Sequence, residues 1–333
     1  MKIFITGIAG FLGSHLAKHL INLGHDVSGN DNMIGGDLEN ISKKIIFYKE
    51  DCTDLKKMTE ITKGSEIIYH CAATAHEGLS VFSPNFITKN IYLASTSVIT
   101  ASIINKIKRF VFCSSMARYG EQKTPFTEDM DTKPVDPYGI AKVASEKCLM
   151  HLADLNGMEW NIAVPHNIIG PNQKYDDPYR NVVSIFINRN LQGKPAIIYG
   201  DGEQKRCFSY IDDVIFCLIK LGLDKKITKE IVNVGPDEET VSIKEVANLV
   251  ANEVGFNGNP KFIPERPKEV KLASCSADKA RKILGYETKT SLRDSIKKTA
   301  HFIKSRGVKT FEYNLPLEIN NEITPETWKK KLI

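Results

Sequence analysis

Three residues near the middle of the chain have the types and spacing of a proton-transfer site. Tyr138 and Lys142 stand four positions apart in "DPYGIAKVASEK", so a helix over this segment places both on one face. A free tyrosine phenol has a pKa near ~10, but a neighbouring ammonium group favours the phenolate and lowers that pKa. Ser115 follows the strand-like run "RFVFC", where it can share the same substrate oxygen. We predict these three as catalytic residues, although Tyr-x-x-x-Lys alone also occurs as an ordinary helix pair.

The N-terminus has the pattern of a dinucleotide site. Gly7, Gly10 and Gly13 follow the apolar run "KIFIT" and precede helical spacing of leucines, so a tight turn would present helix N–H groups to a pyrophosphate. Asp31 ends the second strand about 20 residues on, where a carboxylate binds ribose hydroxyls. Neither lysine nor arginine lies within ten residues of it, which favours NAD over NADP. The alternative is a packing turn with Asp31 on the surface.

Asp51 follows the third strand, where a side chain can hydrogen-bond adenine, and Cys52 stands beside it. The full set predicted to bind the cofactor is Gly7, Gly10, Phe11, Leu12, Gly13, Asp31, Asn32, Asp51, Cys52, Ala72, Tyr138 and Lys142.

Short apolar runs alternate with helical patterns in the first half of the chain, which indicates a Rossmann-type, doubly wound parallel α/β sheet. The predicted strands are 2–6, 26–30, 45–48, 66–71, 109–114, 160–165 and 196–199. The predicted helices are 12–23, 54–61, 86–106, 137–156, 180–192, 211–223, 242–254, 276–284 and 290–305. We expect a dinucleotide-binding domain over 1–166, with later segments able to return to it. A smaller α+β lobe over 167–305 and a C-terminal extension over 306–333 follow.

Length and composition exclude several classes of protein. The chain has 333 residues and a net charge of +5 with scattered basic residues, so neither nucleic acid nor a membrane surface is an expected partner. Seven cysteines without CxxC spacing predict reduced thiols and a cytoplasmic protein. The histidines lack the carboxylate or cysteine partners of a ligand set, so we expect no metal site.

Over roughly residues 1–305 the chain resembles the extended short-chain dehydrogenases/reductases, in their NAD-dependent nucleotide-sugar epimerase/dehydratase family. Beyond the residues above, the matching segments are "YHCAA" at 69–73, "HNIIGPNQ" at 166–173, "YGDGEQKRCFSYIDDV" at 199–214 and "ERPKEV" at 265–270. The resemblance implies that Asn167, Arg206 and Arg266 hold the diphosphate of a nucleotide sugar, and guanidinium groups suit phosphate oxygens.

The resemblance also implies a mechanism. Tyr138 takes the proton of a sugar hydroxyl, Ser115 shares the hydrogen-bond network, and a 4-keto sugar forms as hydride passes to NAD. The family's 4,6-dehydratases carry an Asp-Glu pair after the serine of strand five, whereas this chain has Met116 and Ala117. The resemblance therefore favours a 4-epimerase acting on a UDP-hexose, UDP-N-acetylhexosamine or UDP-uronic acid. A dehydratase or keto-sugar reductase, and a non-catalytic NAD-binding scaffold, are the alternatives.

Several residues depart from the family pattern. Arg118 stands where an apolar residue is usual, and "TAHEGLS" places His76 and Glu77 in the loop expected to line the sugar pocket. These two residues either contact the sugar, act as an acid/base pair, or are solvated loop residues. The residues predicted to bind substrate are His76, Glu77, Ser115, Met116, Asn167, Arg206 and Arg266. The resemblance further implies a homodimer built from the helices near 86–106 and 137–156.

Overall fold

The computed structural model of the protein describes residues 1–266 and 270–333. In chain order the strands are β1 (Lys2–Thr6), β2 (Asp26–Asn30), β3 (Ile46–Tyr48), β4 (Ile67–His70), β5 (Arg109–Cys113), β6 (Glu159–Pro165), β7 (Ile168–Ile169), β8 (Ile197–Tyr199), β9 (Lys205–Arg206), β10 (Ser209–Tyr210), β11 (Glu230–Val234), β12 (Val241–Ser242), β13 (Lys261–Ile263) and β14 (Leu272–Ala273). The helices are α1 (Phe11–Asn22), α2 (Leu55–Ile61), α3 (Glu77–Ser80), α4 (Pro84–Thr88), α5 (Ala94–Ile104), α6 (Pro137–Asn156), α7 (Val182–Leu191), α8 (Ile211–Leu223), α9 (Ile243–Val254), α10 (Asp278–Leu284), α11 (Leu292–Arg306) and α12 (Glu326–Lys329).

The main sheet has seven strands in the order β11-β6-β5-β4-β1-β2-β3, and all its neighbouring strands are parallel. The chain winds outward in one direction from β1 to β3 and in the other from β4 to β6. This reversal between β1 and β4 is the point where doubly wound sheets bind ligands, at the carboxyl ends of their strands. The predicted fold class is therefore confirmed.

Helices cover both faces of the sheet. On one face α1, α8 and α10 enclose a core that includes Leu16, Leu20 and Leu218. On the other face α2, α5 and α6 cover Phe4, Phe110 and related side chains. A π-helical turn at Lys89–Leu93 joins α4 to α5, so the helix predicted over 86–106 is a continuous helical stretch over 84–104.

Strand β11 was not predicted from the sequence. Its five residues, "EIVNV", are too few for periodicity to distinguish a strand from a loop or a helix end. It pairs with β6, with Val232 opposite Ala163, and α8 packs against α1. Chain from the predicted second lobe thus returns to the main sheet, while the boundaries at 166 and 305 stay a prediction.

The rest of the second half forms a smaller group of helices and short strands. Helices α7, α9 and α11 pack around a core that includes Phe186, Val246 and Ile296. Beyond α11 the chain runs back to the first half and buries Trp328 between Leu79, Phe82 and Tyr179. In the described parts of the chain, every helix is too short or too polar to reach across a lipid bilayer.

Candidate active site

A cavity of about 510 Å³ crosses the carboxyl ends of the main-sheet strands and continues toward the second lobe. Most of the residues predicted from the sequence line it: Gly7, Gly10, Phe11, Leu12, Gly13, Asp31, Asn32, Asp51, Cys52, Ala72, His76, Glu77, Ser115, Tyr138, Lys142, Asn167, Arg206 and Arg266. Met116 instead lines a smaller adjoining cavity, which it shares with Ser115, Asn167 and Arg206.

The glycine turn between β1 and α1 forms one end of the cavity. Gly7 has a φ of +68°, and a Cβ atom there would lie 2.8 Å from the Cα atom of Ala72. A Cβ atom on Gly13 would lie 2.2 Å from the carbonyl oxygen of Gly7, so this close packing of turn and helix requires glycine. Gly10 is the N-cap of α1 and makes no side-chain capping bond. The first N–H groups of α1 therefore suit a phosphate group.

Asp31 lies directly beside this turn at the end of β2. Its Oδ2 accepts a hydrogen bond from the Ala9 N–H at 3.1 Å, and its Oδ1 accepts one from the Met33 N–H at 2.8 Å. Burial raises the pKa of this carboxyl group, while the backbone N–H groups act to lower it. Each carboxylate oxygen has a second lone pair, so the group can still accept hydrogen bonds from a ribose.

The side chains predicted to contact adenine lie next to Asp31 and are hydrogen-bonded to their neighbours. Asn32 donates to Asp51 Oδ2 at 3.0 Å, and the other oxygen of Asp51 accepts from the Thr53 N–H at 2.8 Å. The Cys52 thiol accepts a hydrogen bond from Asn30, and burial raises its pKa to about 12. Cys52 is thus a buried neutral thiol in the wall of the cavity.

Ser115, Tyr138 and Lys142 meet at the end of β5. The Asp136 carboxylate caps α6 by accepting the Gly139 N–H at 2.8 Å, so Tyr138 and Lys142 lie in the first turns of that helix. Ser115 is close enough to the Tyr138 hydroxyl to act on its pKa, and the two side chains line the same cavity. Lys142 Nζ donates to the carbonyl oxygen of Cys113 at 2.7 Å and lies 6.0 Å from the centre of the Tyr138 ring.

Burial governs the protonation of this group. Burial raises the pKa of Tyr138 to about 12, although the neighbouring Ser115 and the charge of Arg180 act to lower it. Burial also lowers the pKa of Lys142 to about 8. The polypeptide by itself therefore does not lower the tyrosine pKa, because the cost of removing a phenolate from water exceeds the stabilisation by these neighbours. A lowering by Lys142 together with the positive nicotinamide ring stays a prediction.

Arg118, whose role the sequence did not explain, is buried behind the catalytic residues. Its Nη2 lies 3.2 Å from Glu146 Oε2, and both side chains are at most 5% exposed. The other carboxylate oxygen of Glu146 accepts a short hydrogen bond from the Ser114 hydroxyl. Glu146 is one helical turn after Lys142 on α6, so this ion pair joins α6 to the segment that carries Ser115.

His76 and Glu77 begin the short helix α3 at the edge of the cavity. His76 Nε2 lies 2.6 Å from Asp177 Oδ2, and both side chains are 8% exposed. The interpretation of His76 as a solvated loop residue is thus wrong, since it pairs with a buried carboxylate. Sequence reasoning missed both Asp177 and Arg180, which also line the cavity. The charged run "YDDPYR" after Gly170-Pro171 was the signal that could have identified them.

The residues expected to hold a diphosphate lie at the far end of the cavity. Asn167 adopts a positive φ of 41° and donates from Nδ2 to the Cys207 carbonyl oxygen at 2.8 Å. Arg206 lies on β9, and the Arg266 guanidinium lies 4.5 Å from the centre of the Tyr199 ring. The matched segment 265–270 includes residues 267–269, which lie outside the described residues.

Fold and site together define a dinucleotide-binding α/β protein with a serine, tyrosine and lysine group at its ligand edge. Residues 3–235 match the model of the NAD dependent epimerase/dehydratase family. The chain belongs to this family, as its motifs predicted.

Curated relatives and solved structures agree with this assignment. A UDP-glucose 4-epimerase of Mycolicibacterium smegmatis is 31% identical over 92% of this chain and 100% of its own length. A UDP-N-acetyl-alpha-D-glucosaminuronate decarboxylase of Bacillus cytotoxicus is 34% identical over 74% of this chain and 78% of its own. The crystal structure of a Thermotoga maritima UDP-glucose 4-epimerase with UDP-glucose superposes with a TM-score of 0.88, at 31% identity over 92% of this chain and 99% of that one.

Proposed function

We propose that the protein is an NAD-dependent nucleotide-sugar 4-epimerase acting on a UDP-sugar: a hexose, an N-acetylhexosamine or a uronic acid. The observation that carries this proposal is the position of Tyr138, beside Ser115 and between the glycine turn and the arginine end of one continuous cavity. The cavity thus has the residues expected for a dinucleotide at one end and those expected for a nucleotide sugar at the other, with the tyrosine between them.

The residues of the first half fit NAD. The turn packs so closely that a Cβ atom at Gly7 or Gly13 would collide with backbone, and it leads into the uncapped N-terminus of α1, which suits a pyrophosphate. Asp31 offers its carboxylate to ribose hydroxyls and would repel a 2′-phosphate. When bound, NAD supplies a nicotinamide ring that takes up a hydride and gives it back.

Tyr138 would act as the base for the sugar 4-hydroxyl, with Ser115 holding the same oxygen. The raised pKa of the tyrosine means that a cation beside the phenol must stabilise its charged form, and Lys142 and Arg180 are the cationic side chains nearby. Lys142 is held toward the site by its bond to Cys113. The proton then returns to the sugar oxygen from Tyr138 once the opposite face of the sugar has received hydride.

A 4,6-dehydratase is less well supported. That chemistry needs an acid and a base placed after the serine of β5, and Met116 and Ala117 can transfer no proton. Met116 also lies in the adjoining cavity, outside the one that holds Tyr138. A redox epimerase requires no further proton donor beyond the tyrosine.

We further propose a homodimer in the cytoplasm. Helices α5 and α6 are the elements for which the family resemblance implies a role in the dimer. They expose the large apolar side chains of Ile104, Ile140 and Leu155 at 56%, 55% and 74%. Burial of such side chains against a second copy would stabilise association. A mass measurement by light scattering should give twice 37.3 kDa, and Ile140→Glu should yield monomers; a monomeric wild type would contradict the dimer.

The function is tested by incubating the protein with UDP-, GDP-, CDP- and dTDP-sugars and following the products by NMR. We expect one UDP-sugar to convert to its C4 epimer with no net consumption of NAD. Tyr138→Phe should abolish conversion, losing at least about 10²-fold in rate, while nucleotide-sugar binding remains. A stable keto product, or epimer formation by the Phe variant at the wild-type rate, would refute the assignment.

A further inference from the structure

The C-terminal segment, residues 311–333, returns to the cavity that holds the catalytic tyrosine. Trp328 and Ile333 are both part of the cavity wall, and Trp328 is only 3% exposed. The family match ends at residue 235 and the motif resemblance near residue 305. The wall built by this segment therefore lies outside the part of the chain that the family model and the motifs match.

Directed hydrogen bonds hold the segment in place. The two carboxylate oxygens of Glu318 accept the backbone N–H groups of Asn85 and Phe86, each at 2.9 Å, at the start of α4. Next to it the Ile319 N–H donates to the carbonyl oxygen of Phe82 at 2.8 Å. The segment is thus anchored on α4, the second helix after the loop of His76.

On the catalytic side, the segment completes an aromatic wall. The Trp328 ring lies 5.7 Å from that of Phe82 and 5.3 Å from that of Tyr179, in edge-to-face contacts. The Tyr179 ring in turn meets His76 at 6.4 Å. Such pairs add packing energy beyond the buried area, so Trp328 is fixed beside the His76–Asp177 pair.

On the nucleotide side, the segment contacts the residues expected to bind diphosphate. Thr327 shares a short hydrogen bond with the Tyr199 hydroxyl, and the Arg266 guanidinium lies over the Tyr199 ring. A Cβ atom on Gly78 would lie 3.5 Å from Arg266 Nη1 and 3.6 Å from Trp328 Cη2. The indole and the guanidinium therefore both lie beside Gly78 in the wall of the cavity.

We propose that Trp328 is a specificity-determining residue that packs against the glycosyl part of the nucleotide sugar. This inference rests on the proposed function, because it concerns the sugar bound at the same site. An aromatic ring suits the C–H face of a pyranose or the methyl group of an N-acyl substituent.

The chain offers a matched control, because it contains two tryptophans. Trp160 lies in the core below the main sheet, where its Nε1 donates to Asp154 at 3.0 Å, and it is absent from the residues lining the cavity. Trp160→Phe leaves Trp328 as the fluorophore, and Trp328→Phe leaves Trp160. Each protein is titrated with UDP, UDP-glucose, UDP-N-acetylglucosamine and UDP-glucuronic acid, by fluorescence and by calorimetry.

We expect the fluorescence of Trp160→Phe to change on adding the preferred UDP-sugar, and that of Trp328→Phe to stay constant. We also expect Trp328→Phe to weaken binding of that UDP-sugar by about tenfold, with a change of less than about twofold for UDP. Two results would overturn this inference alone. One is an equal loss of affinity for UDP and for the UDP-sugar in Trp328→Phe; the other is unchanged Trp328 fluorescence while calorimetry detects binding of the UDP-sugar. If calorimetry finds no UDP-sugar binding by the wild type, the proposed function fails and the inference fails with it.

Discussion

His76 Nε2 and Asp177 Oδ2 lie 2.6 Å apart in the cavity wall, although 101 positions separate the two residues in the chain. The bond joins the loop after β4 to the loop before α7. Each partner has a neighbour that acts on the catalytic tyrosine: Glu77 follows His76, Arg180 follows Asp177 by three residues, and their charges shift the Tyr138 pKa in opposite directions. The pair therefore positions two charges near Tyr138, the predicted catalytic base.

Asp177→Asn should destabilise the protein by about 3 kcal/mol, because it leaves buried His76 without its carboxylate. Burial raises the pKa of Asp177, but His76, the Tyr179 N–H and Arg180 together bring it below the usual value. The stability from Asp177 is thus present above the unfolded-state pKa near ~4 and is lost as the pH falls through the lower folded-state value. Denaturant unfolding between pH 3 and pH 7 measures it, with Asp176→Asn as control. If the free energies of unfolding of the wild type and of Asp177→Asn change in parallel with pH, this prediction is contradicted.

Lys142→Met should stabilise the protein at pH 7 while abolishing epimerisation. Burial lowers the pKa of Lys142 to about 8, so folding at neutral pH includes the cost of a buried ammonium group. Allowing for the lost bond to Cys113, we expect a gain of roughly 2 kcal/mol below pH 8. The gain should shrink as the pH rises from about 8 to about 10.5, where the unfolded lysine also loses its proton.

Unfolding free energies of the protein without added NAD, measured across that pH range, test this expectation. Lys147→Met, an exposed position on the same helix, is the control and should show no pH-dependent gain. A variant less stable than wild type at pH 7 would show that the ammonium group contributes more through its contacts than its burial costs.

Arg118 and Glu146 should behave as a coupled pair. Arg118→Leu leaves a carboxylate that is 1% exposed without its counter-ion, and we expect a loss of about 3 kcal/mol. The double variant Arg118→Leu/Glu146→Leu should recover most of that loss. Chemical denaturation of both single variants and the double variant completes a mutant cycle, and additive losses would exclude the coupling.

Asp31→Asn should shift cofactor preference. The amide keeps the shape of the side chain but removes the negative charge, so NAD should bind about tenfold less tightly. NADP should bind relatively better, because repulsion of its 2′-phosphate is removed. Calorimetry with both dinucleotides measures the ratio of affinities. Asp37→Asn, which caps a nearby 3₁₀ turn, should leave the ratio unchanged; an unchanged ratio in Asp31→Asn would argue against ribose binding there.

Glu318→Ala should loosen the C-terminal segment. Two backbone N–H groups at the start of α4 lose their acceptor, which typically costs about 1 kcal/mol. Limited proteolysis followed by mass spectrometry should therefore show faster cleavage within 311–333. The exposed Glu322→Ala serves as control, and equal cleavage rates in the two variants would mean that the cap does not anchor the segment.

Local patterns in the sequence were sufficient for the main elements of the sheet and for the glycine turn. The buried strands are marked by apolar runs, and the start of α6 is marked by Asp136-Pro137. The glycines at 7 and 13 are required by close backbone contacts that any such turn makes. The same holds for Tyr138 and Lys142, whose spacing on one helix already brings them together.

Contacts between distant segments were beyond such reasoning. The pairing of β11 with β6, of His76 with Asp177 and of Thr327 with Tyr199 depends on how the chain folds back on itself, which no local spacing encodes. Arg118 illustrates the same point: its residue type indicated a departure, but its partner Glu146 becomes evident only when α6 packs against β5.

Strand β11 enters the main sheet after the chain has already built part of the smaller lobe, and α9, α10 and α11 follow it. The two halves of the molecule are therefore interleaved along the gene rather than arranged one after the other. A chimera that exchanges sugar preference between relatives would have to transplant several separate inserts and retain 211–234, because a single cassette taken from residue 167 onward would remove the strand that covers the edge of β6.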